Sequence, residues 1–139
     1  MTAKALLAPT ALGACGVVED PAGRVLVCRH SYMSGWMLPG GGVGRETPKT
    51  ALLRELGEEI GLIEAEEPQF LGVYTRRAGW ATNVVLLYRL KNARIDFKPN
   101  LEVRAIQFID PLKPPAGTAE GTLRRLAEIY GGAAPSPYW

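Results

Sequence analysis

With 139 residues, 47% of them hydrophobic, the chain has the length and apolar content of one ordinary domain core, and a single domain over residues 1–139 is expected. A net charge of +2 is too small to argue for duplex nucleic acid or a membrane surface, and no apolar run approaches the roughly eighteen residues needed to span a bilayer. The opening MTAKALLAPT is too short for a signal peptide, so the expectation is a soluble cytoplasmic protein with neither DNA nor membrane as partner.

Thr10 to Val18 and Arg24 to Cys28, rich in Val, Leu and Cys, read as two strands of a hairpin around Asp20-Pro21-Ala22-Gly23. A two-residue loop puts Cys15 opposite Cys28, and a three-residue loop with a bulge at Gly23 shifts that pairing by one. Neither cysteine has a metal-ligand spacing, and a reducing cytosol favours two free thiols. His30, the single histidine, falls in the loop His30 to Gly35, where a structural role is the ordinary one. Trp36-Met37-Leu38-Pro39 is a short strand that delivers the chain to Gly40, Gly41 and Gly42. These glycines permit positive φ and close backbone approach, which a turn near a phosphate or metal requires.

A helix follows. Thr47 can cap it, Pro48 suits its first position, and Gly61 after Ile60 is a left-handed stop. At 3.6 residues per turn Leu52, Leu53, Leu56 and Ile60 share one face. Glu55, Glu58 and Glu59 share another, converging away from the core. Carboxylates on adjacent turns repel, by a few tenths of a kcal/mol per pair. Either Arg54 and solvent offset that, or a divalent cation does. Mg²⁺ suits an open helical face because it keeps several waters and takes only a few carboxylates.

Phe70 to Thr75 and Asn83 to Arg89 read as two more strands. Between them lie Arg76 and Arg77, which could contact phosphate, and Trp80, which could stack on a base; a solvated turn with an anchoring tryptophan is the other reading. Lys91 to Asn100 is polar and reads as a loop, and Glu102 to Asp110 as a last strand. A second helix fits Thr118 to Tyr130, with Leu123, Leu126, Ala127 and Tyr130 on one face and Arg124 and Arg125 on the wet one. The aromatic residues of Pro135-Ser136-Pro137-Tyr138-Trp139 are expected to pack on the body or on a second subunit.

From Gly40 the spacing runs five residues to Glu46, seven more, and then Arg54-Glu55-Leu56-Gly57-Glu58-Glu59-Ile60-Gly61-Leu62. This matches the Nudix box, GX5EX7REUXEEXGU with U apolar, at every specified position, and the chain resembles a Nudix hydrolase. Counted from Pro39-Gly40-Gly41, four residues instead of the usual five precede Glu46. Periodicity alone gives a mixture of α and β; the resemblance implies an α/β/α sandwich with a mixed β-sheet between helices.

The resemblance also implies use of Mg²⁺ or Mn²⁺ to cleave the diphosphate linkage of a nucleoside diphosphate joined to another moiety. Glu55, Glu58 and Glu59 become the metal ligands, with Gly40 at the loop. Arg54 then orients Glu46 and the carboxylates. The general base is a box glutamate or an acid from a separate loop, for which Glu102 is the candidate. Arg76, Arg77, Trp80 and Trp36 are the candidate substrate contacts, and a small nucleotide acted on by a monomer or homodimer is expected.

Three further readings fit less well. An isomerase of isoprenoid diphosphates needs a cysteine at its site, and Cys15 and Cys28 sit in strands. A non-catalytic nucleotide sensor on this fold would have lost box carboxylates, and none is lost. Removal of the 5′ diphosphate from RNA finds no extended basic track. No downstream signature of a particular substrate branch stands out.

Overall fold

The computed structural model describes residues 10–78 and 81–139. In chain order the elements are β1 (Thr10–Val18), β2 (Val25–His30), β3 (Gly40–Gly42), α1 (Pro48–Ile60), β4 (Leu62–Glu64), β5 (Gln69–Ala78), β6 (Ala81–Leu90), β7 (Arg94–Ile95), β8 (Val103–Ile109) and α2 (Glu120–Tyr130). Strands β3, β1, β6 and β5 lie side by side in that order, with β1 parallel to β6 and the other neighbours antiparallel. The pairs β2–β8 and β4–β7 complete the strand structure among the described residues.

Alternation along β1 and β6 explains why helices cover both faces. Ala14 and Val18 of β1 and Tyr88 and Leu90 of β6 point to one side, where Leu52, Leu56 and Ile60 of α1 meet them. Val17 and Leu87 point to the other, where Leu126 of α2 meets them. The result is the expected α/β/α sandwich. No helix among the described residues is long and apolar enough to cross a membrane.

The hairpin expected at the start does not continue past its turn. Asp20 accepts the N–H groups of Ala22 and Arg24 at 3.0 and 2.9 Å, and Glu19 bridges Val25. Beyond that point β1 has ladder partners on both sides, β3 and β6, so β2 must find its own in β8. Cys15 is therefore opposite Gly40 and Leu87, Cys28 is opposite Ile106, and both thiols are free.

The glycines differ from expectation in one respect: Gly40–Gly42 is a strand, and none of the three has positive φ. Close approach is what they supply. A Cβ on Gly40 would stand 2.2 Å from the carbonyl oxygen of Ala14 on β1, so no side chain fits there.

Helix α1 has the expected ends. Thr47 Oγ1 accepts the N–H of Thr50 at 3.3 Å, Pro48 opens the first turn, and Gly61 stops the helix at φ 72°. At Gly61 a Cβ would collide with the carbonyl of Asp96, whose N–H donates to Gly61 O at 2.9 Å. That contact seats β4 beside β7, so the segment 91–100 is not all loop.

Two face assignments change. Leu53 is 40% exposed, and the inward stripe is Leu52, Leu56, Glu59 and Ile60, which puts one box glutamate against the core rather than off it. On α2, Leu123 and Ala127 are exposed whereas Arg125 is wholly buried. Helical geometry sets Arg125 beside Leu126 on the inward face. The Glu128 carboxylate at 2.9 Å and the Tyr74 ring, 4.0 Å from the guanidinium carbon, offset part of its lost hydration, and its Nε and Nη1 have no hydrogen-bond partner among the described residues.

Candidate active site

The acidic cluster is built from two ends. Helix α1 places Glu55 and Glu59 one turn apart, and the chain entering β8 brings Glu102 to them, so that one carboxylate oxygen from each lies within 4.8 Å of the others. Asn100 sets that approach. Its side-chain amide donates to Glu59 O at 2.9 Å, while its oxygen accepts the N–H groups of Glu102 and Val103 at 3.1 and 3.0 Å. Asn100 was not among the residues singled out from the sequence, although the Pro99-Asn100 pair is a turn signal in which an Asn side chain bonds backbone two or three residues on.

Glu59 is the electrostatic centre. Burial, then the adjoining Glu102 and Glu55 carboxyls, push its pKa from 4.5 up to about 9. Carboxyls can hydrogen-bond each other only through a shared proton, and with all three ionised the buried Glu59 Oε2 has no partner among the described residues. A set of carboxylate oxygens with one buried oxygen unsatisfied fits a hard divalent cation.

Arg54 holds the outer side. Its Nη2 and Nε reach Glu46 Oε1 at 2.8 and 2.9 Å, and its Nη1 reaches Glu55 at 3.2 Å and Glu58 at 3.4 Å. Glu46 thereby ties the loop before the helix to the helix itself, the arrangement expected of Arg54. Glu58 is 62% exposed at its side chain and stands outside the trio.

Beside the cluster opens a cavity of about 760 Å³. Gly40–Gly42 forms one wall, with Gly41 against Glu55, and the start of α2 another. Arg76 lines it from within β5, where it pairs Asn83 of β6; the expected turn begins later because the β5–β6 ladder runs on to Ala78 and Ala81. Arg77, its neighbour in the strand, is exposed and does not line the cavity. Trp80 lies outside the described residues. Trp36 is engaged elsewhere, under the Arg29 guanidinium at 4.5 Å, with its main chain bridged to Thr118.

His30 and Cys15 also line the cavity. His30 is buried with Nε2 3.7 Å from the Cys28 sulfur, and burial lowers its pKa, so at neutral pH it is an uncharged wall. Burial pushes the Cys15 and Cys28 thiols up to about 12, which leaves neither available as a thiolate nucleophile.

The NUDIX domain model matches residues 9–127, most of the chain. The chain belongs to the Nudix family. Membership makes it a hydrolase of pyrophosphate bonds, and members of the family generally work with a divalent metal. A MutT-like protein of Streptomyces ambofaciens is 33% identical over 121 residues, covering 86% of this Nudix chain and 77% of its own length. The RNA pyrophosphohydrolase of Pseudomonas aeruginosa is 44% identical over 75 residues, and this chain spans only 42% of that protein. A MutT Nudix hydrolase structure from Burkholderia pseudomallei superposes with a TM-score of 0.75 at 21% identity, covering 86% of this chain and 98% of its own, which bears on the fold alone.

Proposed function

We propose that the chain works as one Nudix domain that hydrolyses the diphosphate linkage of a small nucleoside diphosphate derivative, releasing a nucleoside monophosphate and a second phosphate product. The observation that carries this reading is the convergence of Glu55, Glu59 and Glu102 beside a cavity of about 760 Å³. Glu55 and Glu59, with Glu58 and Glu102 in reach of the same face, would hold Mg²⁺ or Mn²⁺. When bound, such an ion neutralises phosphate charge and lowers the pKa of a coordinated water.

The chain's own residues do the rest. Water adds to one phosphorus, the bridging P–O bond breaks, and the departing phosphate carries the bonding pair. A carboxylate of the cluster takes the proton of the attacking water. Glu102 suits that role because it is exposed, unlike Glu59, and lies outside the Arg54 network that occupies Glu55 and Glu58. Arg54 and Glu46 keep Glu55 in place.

The test is turnover of a panel of nucleoside triphosphates, nucleotide sugars, ADP-ribose and dinucleoside polyphosphates with Mg²⁺ or Mn²⁺. Hydrolysis of at least one, abolished by EDTA and restored by metal, is the expected result; turnover undiminished in excess EDTA overturns it. The match to RNA pyrophosphohydrolases over 75 residues supports a second reading, in which the 5′ end of RNA is the substrate. Faster release of diphosphate from a 5′-triphosphorylated oligonucleotide than from any mononucleotide would select it.

A further inference from the structure

One wall of the cavity includes Trp139, which belongs to a segment that the family match does not reach, since the match ends at residue 127. Residues 135–139 run along β5, the edge strand of the four-stranded sheet. Thr75 donates its N–H to Pro137 O at 2.9 Å, and Trp139 donates to Thr75 O at 3.0 Å. Arg124 Nε holds the Trp139 carbonyl at 2.7 Å, and Ser136 N–H donates to Glu128 at 2.8 Å. The segment is thus laid down by main-chain bonds like an added strand.

Those bonds bring one large aromatic side chain to the cavity. The Trp139 indole meets Tyr74 edge to face at 5.7 Å between centroids, with the Arg125 guanidinium 5.4 Å from its ring. It leans on Gly121 so closely that a Cβ there would stand 2.5 Å from its Nε1. Half-buried, it lines the cavity with what it leaves uncovered. Between this wall and β3, Arg76 and Asn83 face each other in register and also line the cavity, with no side-chain hydrogen bond or ion pair to either among the described residues. Strands about 4.8 Å apart put β3 and β5 about 14 Å apart, a span that a nucleoside diphosphate covers and a bare diphosphate does not.

A ring to stack on, with donors and an acceptor held beside it, is the equipment for a nucleobase. We propose that Trp139 is a specificity-determining residue that stacks on the base of the substrate while Arg76 and Asn83 read the edge of that base. This rests on the hydrolase reading above and adds to it the part of the substrate that is recognised. Gly121 keeps the indole where it is, and Arg124 is a positioning residue for the segment.

The experiment compares kcat/KM for the best nucleoside triphosphate with that for ribose 5-triphosphate, which lacks the base. Stacking worth what single bases gain on aromatic side chains predicts that Trp139→Ala lowers the ratio about tenfold or more, chiefly through KM for the nucleotide. Gly121→Ala, which displaces the indole without altering it, should lower the ratio in the same direction, Trp139→Phe should restore most of it, and Asn83→Ala should change the ranking of the four bases. An unchanged ratio in Trp139→Ala, with both substrates slowed alike, overturns the proposal and leaves the segment a structural brace. Binding of a non-hydrolysable imidodiphosphate nucleotide, measured by calorimetry, separates this from the hydrolase reading. Equal affinity in the native chain and Trp139→Ala refutes the stacking role even if no substrate turns over.

Discussion

Gly41 lies so close to Glu55 that a Cβ built on it would stand 2.6 Å from the carboxyl carbon. The side chain of Glu55 is flexible and can yield, so Gly41→Ala should cost little stability. The yielding carboxylate leaves the cluster, however, and its metal is held less well. We expect Gly41→Ala to keep the native melting temperature without metal, to lose most of the rise that Mg²⁺ or Mn²⁺ produces, and to lower kcat at least about tenfold. Native metal response and turnover would show that the contact is incidental.

The acidic cluster also fixes a pH dependence of the metal-free protein. Glu59 has a folded pKa raised from 4.5 to about 9, so the folded state holds a proton that the unfolded chain has released. The stabilisation is fully present below about pH 4.5 and is lost as pH rises through about 9. In EDTA the melting temperature should therefore fall between those limits, and Glu59→Gln should flatten the slope. A variant that keeps the full slope would place the titrating group elsewhere.

Glu58 and Glu102 separate repulsion from catalysis. Glu102 sets a further carboxyl against Glu55 and the protonated Glu59, whereas Glu58 sits 3.4 Å from the Arg54 guanidinium. Glu102→Gln should hold or raise the metal-free melting temperature, and Glu58→Gln should leave it level or slightly lower. Both should reduce kcat by about 10²-fold. Near-native kcat in Glu102→Gln would return the role of base to the box; near-native kcat in Glu58→Gln would confine the working set to the trio.

Arg125 tests the second helix. Its guanidinium is buried against Glu128 and two aromatic rings, so Arg125→Met keeps the volume but leaves a carboxylate that is itself only 9% exposed with the Ser136 N–H and no cation. Removing one partner of such a pair should cost about 3 kcal/mol in urea unfolding, and Arg125→Met combined with Glu128→Gln should recover part of it. A loss of less than about 0.5 kcal/mol would mean that the stacked rings alone hold the site together.

The sequence by itself determined helix α1 with both of its ends, because Thr47, Pro48 and Gly61 act on backbone within a turn of themselves and need nothing distant. For the same reason it placed Glu55 and Glu59 on adjacent turns, whereas the tie between Glu46 and Arg54 was implied by the Nudix resemblance and not by local geometry. The partners of each strand were decided only in three dimensions. Local turn chemistry at Asp20 and Gly23 looks the same whether β1 and β2 zip together or part, and the choice rests on β1 having β3 and β6 available on either side. Glu102 reached the cluster through the pairing of β8 with β2 and the hold of Asn100 on α1. Arg125, which by its charge belongs on a wet face, is buried with Glu128 on its Nη2 and the Tyr74 and Trp139 rings against it, while its Nε and Nη1 find no hydrogen-bond partner among the described residues, and both rings come from elsewhere in the chain. Burial of a charge depends on the sum of its compensations, and that sum exists only once the fold has gathered them.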